Sequence, residues 1–477
     1  MKTTASKITG LLILASIFVS CGAESTGTPN TTESVSTTTT AAETDANHPV
    51  FPEISYDGDE ILFLTEDWRF GDIYDSKEIY AESIDGSLIN DAVYNRNQRV
   101  QEQFDVVIKA EMLPLASEVA FQNIMAGDNT YDVVMPYLNS SVVNALEGLY
   151  LDLNCIENLH LENSWWDQNA NKILQIDDKL YFTTGDISIL DNECMLVLFF
   201  NKTVIANFDL ESPYDLVKNG TWTLDALVEM RDTVNADLNG DGVLKPDDDR
   251  FGLYVFANTP LAMFFASGER IVSADANGKQ QLVMYNDRSA SVIDRCMEVS
   301  LDERNMSCDY TISLKAFQEG RLLFGAWALT EIQSLRNCEQ DFGVLPFPKY
   351  DEAQENYHCI ISTSLTPAVS IPITNPNPSQ AGLILEAMAY YSVDTVTHAY
   401  YDLSLNSRFI RDEESSEMFD IMFANSVYDF GYIFDVGGLG MILENMFYNK
   451  KNTFSSRYAS MEKKALAALE DIFSGEH

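Results

Sequence analysis

The stretch from residue 59 to residue 136 most constrains what this chain can fold into. Glu60 to Leu64 (EILFL) predicts a first buried strand. The segment 88–104, LINDAVYNRNQRVQEQF, places Leu88, Ala92, Val93, Val100 and Phe104 at helical spacing and predicts an amphipathic helix. Val106-Val107-Ile108 predicts a second strand, residues 116–126 a second helix, and Tyr131 to Pro136 (YDVVMP) a third strand. Alternation of this kind implies a mainly parallel sheet with helices on its faces.

Further on, strands are expected at Leu180 to Phe182, Met195 to Phe200, Phe251 to Phe256, Leu322 to Phe324 and Phe342 to Leu345. Helices are expected over 224–234, 289–300 and 313–319. After the Pro-rich stretch 370–380 the chain reads as largely helical, closing on an amphipathic helix at 458–473. There is no internal repeat.

With 477 residues, 46% of them apolar, the chain can bury a large core, and its length suggests two or three domains. Its formal net charge of −43 argues against binding nucleic acid or anionic lipid, both of which need clustered Lys and Arg. The charge suits a soluble protein working outside the cell on neutral or cationic solutes.

Residues 1–20 read as a signal peptide: Lys2 and Lys7 precede an apolar run from Ile8 to Val19 that is too short to span a bilayer. Ser20 stands directly before Cys21, as in a bacterial lipobox, so Cys21 is the expected lipidation site. Phe18 departs from the Leu usual at that position, and the alternative is an ordinary signal peptide with an incidental Cys. Residues 21–50, dominated by Ser and Thr, form an expected disordered tether. Cys155, Cys194, Cys296, Cys308, Cys338 and Cys359 make no CxxC pair and read as small buried residues, with one or two bridges left open.

Several segments, taken in order, resemble the large carbohydrate-binding type of bacterial ABC-transporter solute-binding lipoprotein. They are NDAVYNRNQRVQEQF, YDVVMPY, WWDQNANKILQIDDKLYF, GDIS, FFNK, NGTWTLDAL, FGLYVF, KAFQEGRLLFGAW, DFGVLPFPKYDEAQ and AGLILEAMAYYS. The resemblance implies an α/β, two-lobed, type II periplasmic-binding-protein-like fold with mainly parallel sheets and a helical C-terminal region. It also implies lobes that exchange chain, with crossings expected near Asp152, Lys315 and Ile373. Lobe 1 is then 51–152 plus about 316–372, and lobe 2 about 153–315 plus 373–477.

Sugar rings stack on aromatic faces while their hydroxyls need fixed polar partners. Trp68, beside Asp67, follows the first strand; Trp327 follows LLFG and precedes Glu331. Both Trp residues are candidates for ligand contact, with packing as the alternative. Asp186 in GDIS and Asn139 after YDVVMP are candidate hydroxyl partners. Of Trp165 and Trp166 one is expected to be buried, and Trp222 is expected to pack. Gly437-Gly438 reads as a turn in preference to a ligand approach.

The motif DLNGDGVLKPDD has the oxygen spacing of an EF-hand-type loop, with Asp237, Asn239, Asp241, the Val243 carbonyl and Asp248 as ligands for a structural Ca2+. An acidic surface turn is the alternative. Asp248 replaces the usual Glu.

Enzyme signatures are lacking: there is no HExxH, GxSxG, Walker A loop or complete GxGxxG. The expectation is a non-enzymatic monomer on the extracellular face of the membrane, held only by its lipid, passing a carbohydrate to an ABC permease. A surface glycoside hydrolase and a glycan-binding adhesin or sensor subunit are the alternatives.

Overall fold

A computed structural model describes residues 49–68, 72–276, 278–405 and 413–474. The expected signal peptide, the expected lipidation site Cys21 and nearly all of the expected tether lie outside the described residues. Residues from Pro52 onward form one compact unit built on two sheets.

The first sheet follows from the 59–136 pattern. Strand β1 (Asp59–Glu66) ends in a continuous buried run, as a central parallel strand requires. Helix α1 (Leu88–Phe104) buries Val93, Arg96, Asn97, Val100 and Phe104 along one stripe. It stops at Asp105, whose left-handed backbone (φ 52°) turns the chain into β2 (Val106–Leu113). Helix α2 (Ala116–Met125), β3 (Val133–Met135) and helix α3 (Leu138–Leu146) follow. The order is β2-β1-β3, all parallel. Antiparallel bridges add the 367–372 segment beside β3 through Val134–Ser370 and Tyr137–Pro367, and Thr183 beyond it through Val369.

The second sheet holds β4 (Leu196–Asn201) and β5 (Phe251–Tyr254). After the small antiparallel hairpin β6 (Val272–Ala274) and β7 (Gln280–Leu282) come β8 (Leu322–Ala328) and β9 (Phe342–Leu345). Its order is β5-β8-β4-β9; β5 and β8 are parallel, and β4 runs antiparallel to both its neighbours.

These pairings correct the expected lobe boundaries. β8 lies between β5 and β4, so residues 316–345 belong with the second sheet and Lys315 marks no crossing. Residues near Asp152 and Ile373 stay on the first sheet, through the Tyr150–Pro372 bridge and the Leu153 N–H to Leu180 bond of 2.7 Å. The helix Pro378–Ser392 packs on α1. Strand partners are chosen by three-dimensional packing, which a local pattern does not encode. The chain instead passes between sheets at about 186–195 and 361–366. There Met195 bridges Ile361, and the Ser362 N–H donates to Cys194 O at 3.0 Å.

The buried Arg96 organises the segment after β1. Its guanidinium donates to the carbonyls of Glu78 (2.8 Å) and Ile79 (3.0 Å) and to Ser392 Oγ (3.0 Å). A single α1 side chain thereby holds both the 78–79 backbone and the 378–392 helix. Of the six described cysteines, Cys194, Cys296, Cys338 and Cys359 are buried and Cys155 is exposed, all as free thiols.

Candidate ligand-binding site

A cavity of about 580 Å³ opens at the carboxyl ends of the first sheet's strands, where open α/β sheets place ligands. β1 delivers Glu66, Asp67 and Trp68 to it in succession. Glu66 is buried, and its carboxylate accepts the N–H groups of Leu115 (2.7 Å) and Ala116 (3.1 Å). These two bonds satisfy backbone donors that the start of α2 leaves without a helical partner and set a negative charge against the positive helix end, fixing one wall. Trp68 is half-buried. Its backbone N–H donates to Asp75 Oδ1 at 2.8 Å, and its ring meets Tyr74 and Tyr137 edge-on, at 6.3 and 5.9 Å between centroids.

The opposite wall comes from α3. Tyr137 precedes the helix, and its hydroxyl donates to Tyr74 O at 3.2 Å. Asn139, in the first turn, is exposed, and its backbone N–H is held by Thr363 O at 3.0 Å. Ser364, from the second crossing, lies on the rim. Asp67, Trp68 and Asn139 thus line one cavity, an aromatic surface flanked by a carboxylate and an amide. Such a surface can carry a ring with an apolar face and hydrogen-bonding edges. Tyr137, the main residue the sequence reading passed over, stands directly after the third strand, and that position was the available signal.

The remaining candidates lie elsewhere. Trp327 is 5% exposed, with its ring 5.4 Å from Phe317, 5.7 Å from Phe199 and 5.9 Å from Tyr254. A Cβ on Gly325 would sit 2.2 Å from that ring. Trp327 is a core residue of β8, because the strand continues to Ala328 and is buried along its whole length. Glu331 is 1% exposed and accepts hydrogen bonds from the hydroxyls of Tyr74 (2.6 Å) and Tyr310. It joins segments and does not face the Trp68 cavity. Asp186 lines a separate, very small cavity with Asp191 and Tyr401 and accepts from Thr397 Oγ1 at 3.0 Å; burial pushes its carboxyl up to about 6.

Both Trp165 and Trp166 are buried. Their indole N–H groups donate to the carboxylate of Glu386 at 3.1 and 2.8 Å, joined by Asn163 Nδ2 at 2.7 Å. Trp222 packs, as expected, with its indole N–H on Pro346 O at 3.0 Å. Gly437 has φ 63°, and a Cβ there would lie 2.4 Å from Ala465 Cα. The close approach at this turn is therefore to the Phe454–Ile472 helix.

In the acidic loop, Asp237 accepts the N–H groups of Gly240 and Gly242 (both 2.7 Å), Asn239 that of Asp241, and Asp241 that of Val243 (each 2.9 Å). Lys245 pairs with the other oxygen of Asp241, and the buried neighbour of Asp248, Asp249, accepts from Leu238 and Lys245 N–H. Among the described residues no three His, Cys, Asp or Glu side chains are grouped to hold a metal ion.

Two α/β lobes with a cavity at the strand ends define a type II periplasmic-binding-protein-like fold. No protein-family model matches the sequence, and no curated protein matches it. Solved structures share the fold. A cyclo/maltodextrin-binding protein complexed with maltotetraose is 14% identical, with a TM-score of 0.56 over 87% of this chain and 97% of that one. The GacH receptor of Streptomyces glaucescens, solved unliganded and with acarbose, is 14% identical, with a TM-score of 0.55 over 88% and 100%. An ABC substrate-binding protein from Listeria monocytogenes in complex with cycloalternan is 11% identical, with a TM-score of 0.53 over 87% and 98%.

Proposed function

We propose that this protein captures a carbohydrate, an oligosaccharide in particular, on the Trp68 surface and delivers it uncleaved to an ABC permease. The observation that carries this reading is the Trp68 ring, half-exposed beside Asp67 and Asn139 in the strand-end cavity. The similar structures, whose descriptions name maltotetraose, acarbose and cycloalternan as ligands, support it. Closure of the lobes on the sugar is a hinge motion, driven by the ligand's better contacts in the closed state. No bond of the sugar is broken. The protein acts as a monomer on the outer face of the membrane, tethered through a lipid on Cys21. The 237–248 loop takes Ca2+ as a structural ion once Asp241 releases Lys245.

The test is a thermal-shift screen of the protein against mono- and oligosaccharides and peptides, with calcium held constant. A ligand at 100 times its dissociation constant stabilises the native state by about 2.7 kcal/mol. The expected result is a clear shift with one class of sugar, recovered intact. Cleaved sugar would establish a hydrolase instead, and a shift with peptide alone would overturn the carbohydrate reading.

A further inference from the structure

The segment that follows β1 meets the Trp68 surface on one side and the second lobe on the other. Towards the cavity it backs the indole. The Trp68 N–H is held by Asp75 Oδ1 at 2.8 Å, and the Tyr74 ring meets the indole edge-on, 6.3 Å between centroids. Tyr137, whose ring lies 5.9 Å from that of Trp68, donates its hydroxyl to Tyr74 O at 3.2 Å. Tyr74 itself is not among the residues lining the cavity, and neither is Glu331.

Towards the second lobe, the same short turn, Asp72–Tyr74, is fixed by the turn Leu329–Ile332 that follows β8. The Tyr74 hydroxyl donates to Glu331 Oε1 at 2.6 Å, and Thr330 Oγ1 donates to Ile73 O at 3.2 Å. Glu331 is buried, and its second oxygen accepts from Tyr310 at the start of the helix Tyr310–Gln318. Hydrogen bonds are short-ranged and directional, and those to a charged acceptor are the stronger ones. The turn behind Trp68 is therefore held firmly only while the two lobes touch.

We infer that Tyr74 is a positioning residue for the Trp68 surface: its bond to Glu331 sets the indole in place, so the affinity of the first lobe for its ligand depends on contact with the second. The inference rests on the proposed carbohydrate site and gives that site a control. By reciprocity, a sugar that immobilises Trp68 strengthens the contact between the lobes by the same factor. Glu331, expected from the sequence to touch ligand, acts on it at one remove.

The experiment uses the intact chain and two readouts. Of the five Trp residues, Trp165, Trp166, Trp222 and Trp327 are buried and Trp68 is half-exposed, so acrylamide quenching of the Trp fluorescence reports on Trp68. Tyr74→Phe should raise the quenching constant of the ligand-free chain. It should also weaken the calorimetric affinity for whichever of maltotriose and mannotriose the wild type takes, by about fivefold or more. Tyr310→Phe removes the other bond to Glu331, on the second lobe's own side, and should leave quenching and affinity unchanged. Circular dichroism checks each fold; should Tyr74→Phe unfold, Thr330→Val, which removes the neighbouring bond to Ile73, decides the matter. Unchanged quenching or unchanged affinity in Tyr74→Phe would overturn the inference. So would an equal effect of Tyr310→Phe, which would make the bond to Glu331 merely structural. Raised quenching in a chain whose wild type takes none of the screened sugars would uphold the positioning of Trp68 and overturn the carbohydrate reading.

Discussion

The hydroxyl of Tyr74 donates a 2.6 Å hydrogen bond to the carboxylate of Glu331 across 257 residues of sequence. One partner follows β1 in the first lobe and the other follows β8 in the second. Thr330 Oγ1 adds a bond to Ile73 O at 3.2 Å beside it. The pair is a latch between lobes, and burial together with the Glu331 charge holds the Tyr74 phenol well above its ordinary pKa, in its donating form.

Tyr74→Phe removes one bond to a buried carboxylate and leaves Glu331 with Tyr310. The expected cost is about 1–3 kcal/mol in urea unfolding. Small-angle scattering should show a larger radius of gyration for the ligand-free variant. An unchanged radius would mean that the latch does not hold the lobes.

Trp68→Ala should abolish measurable sugar binding while leaving far-UV circular dichroism intact, since the ring is half-exposed. Asn139→Ala should weaken binding by about tenfold, the effect of one hydrogen bond lost in a cavity. Titration calorimetry with the sugar found by screening decides both.

Glu386 offers a contrast. Its carboxylate takes the indole N–H groups of Trp165 and Trp166 and lies far along the chain from the cavity residues. Glu386→Leu leaves those buried donors unpaired and should cost about 3 kcal/mol or more in denaturant unfolding, with sugar affinity in the surviving folded protein unaltered. A stable variant that had lost sugar affinity would show that the WW motif belongs to the site.

The raised carboxyls set the sign of the pH dependence. An unfolded glutamate titrates near 4.5, whereas burial raises Glu78 to about 7 and Glu193 to about 8. Between these values the folded chain holds protons that the unfolded chain has released. The stabilisation is therefore whole below pH 4.5 and is lost as pH rises toward 8. Asp186 and Asp429, both pushed up to about 6 by burial, act in the same sense in the lower half of that window. The urea midpoint should be higher at pH 5 than at pH 8, and Glu193→Gln should flatten the upper part of the slope. A midpoint that rose with pH would contradict this account.

Saturating calcium should raise the melting temperature, by an amount equivalent to about 2.7 kcal/mol at 100 times the dissociation constant. Asp237→Ala should remove the response. Equal melting curves in calcium and in chelator would identify the 237–248 segment as an acidic turn closed by its own backbone.

What the sequence disclosed was local. Helix α1 at 88–104 and the Leu224–Val234 helix match their periodicity residue for residue, because each buries one stripe defined within the segment. The strands β1 and β9 were legible for the same reason. Partners were not: β8 finds β4 more than a hundred residues away, and that pairing moved the lobe boundaries. Within the candidate site, Asp67 and Trp68 were readable because β1 ends at Glu66. Trp327 was misplaced because LLFG looked like a whole strand, while β8 runs on through Trp327 to Ala328. Tyr74 carried no local sign at all; its role depends on Glu331.

The two crossings run side by side, with Met195 against Ile361 and Ser362 bonded to Cys194. The first crossing carries a single helical turn, Leu190–Glu193, and the two segments are tied at one isolated bridge, so the joint is narrow. Two adjoining passages would leave a closing motion fewer directions than a single one, as a gate hung on paired pins has fewer than one on a swivel. On the proposed closure, a ligand that fits the mouth in only one orientation would meet the same approaching wall each time, and the joint itself would filter what can be enclosed.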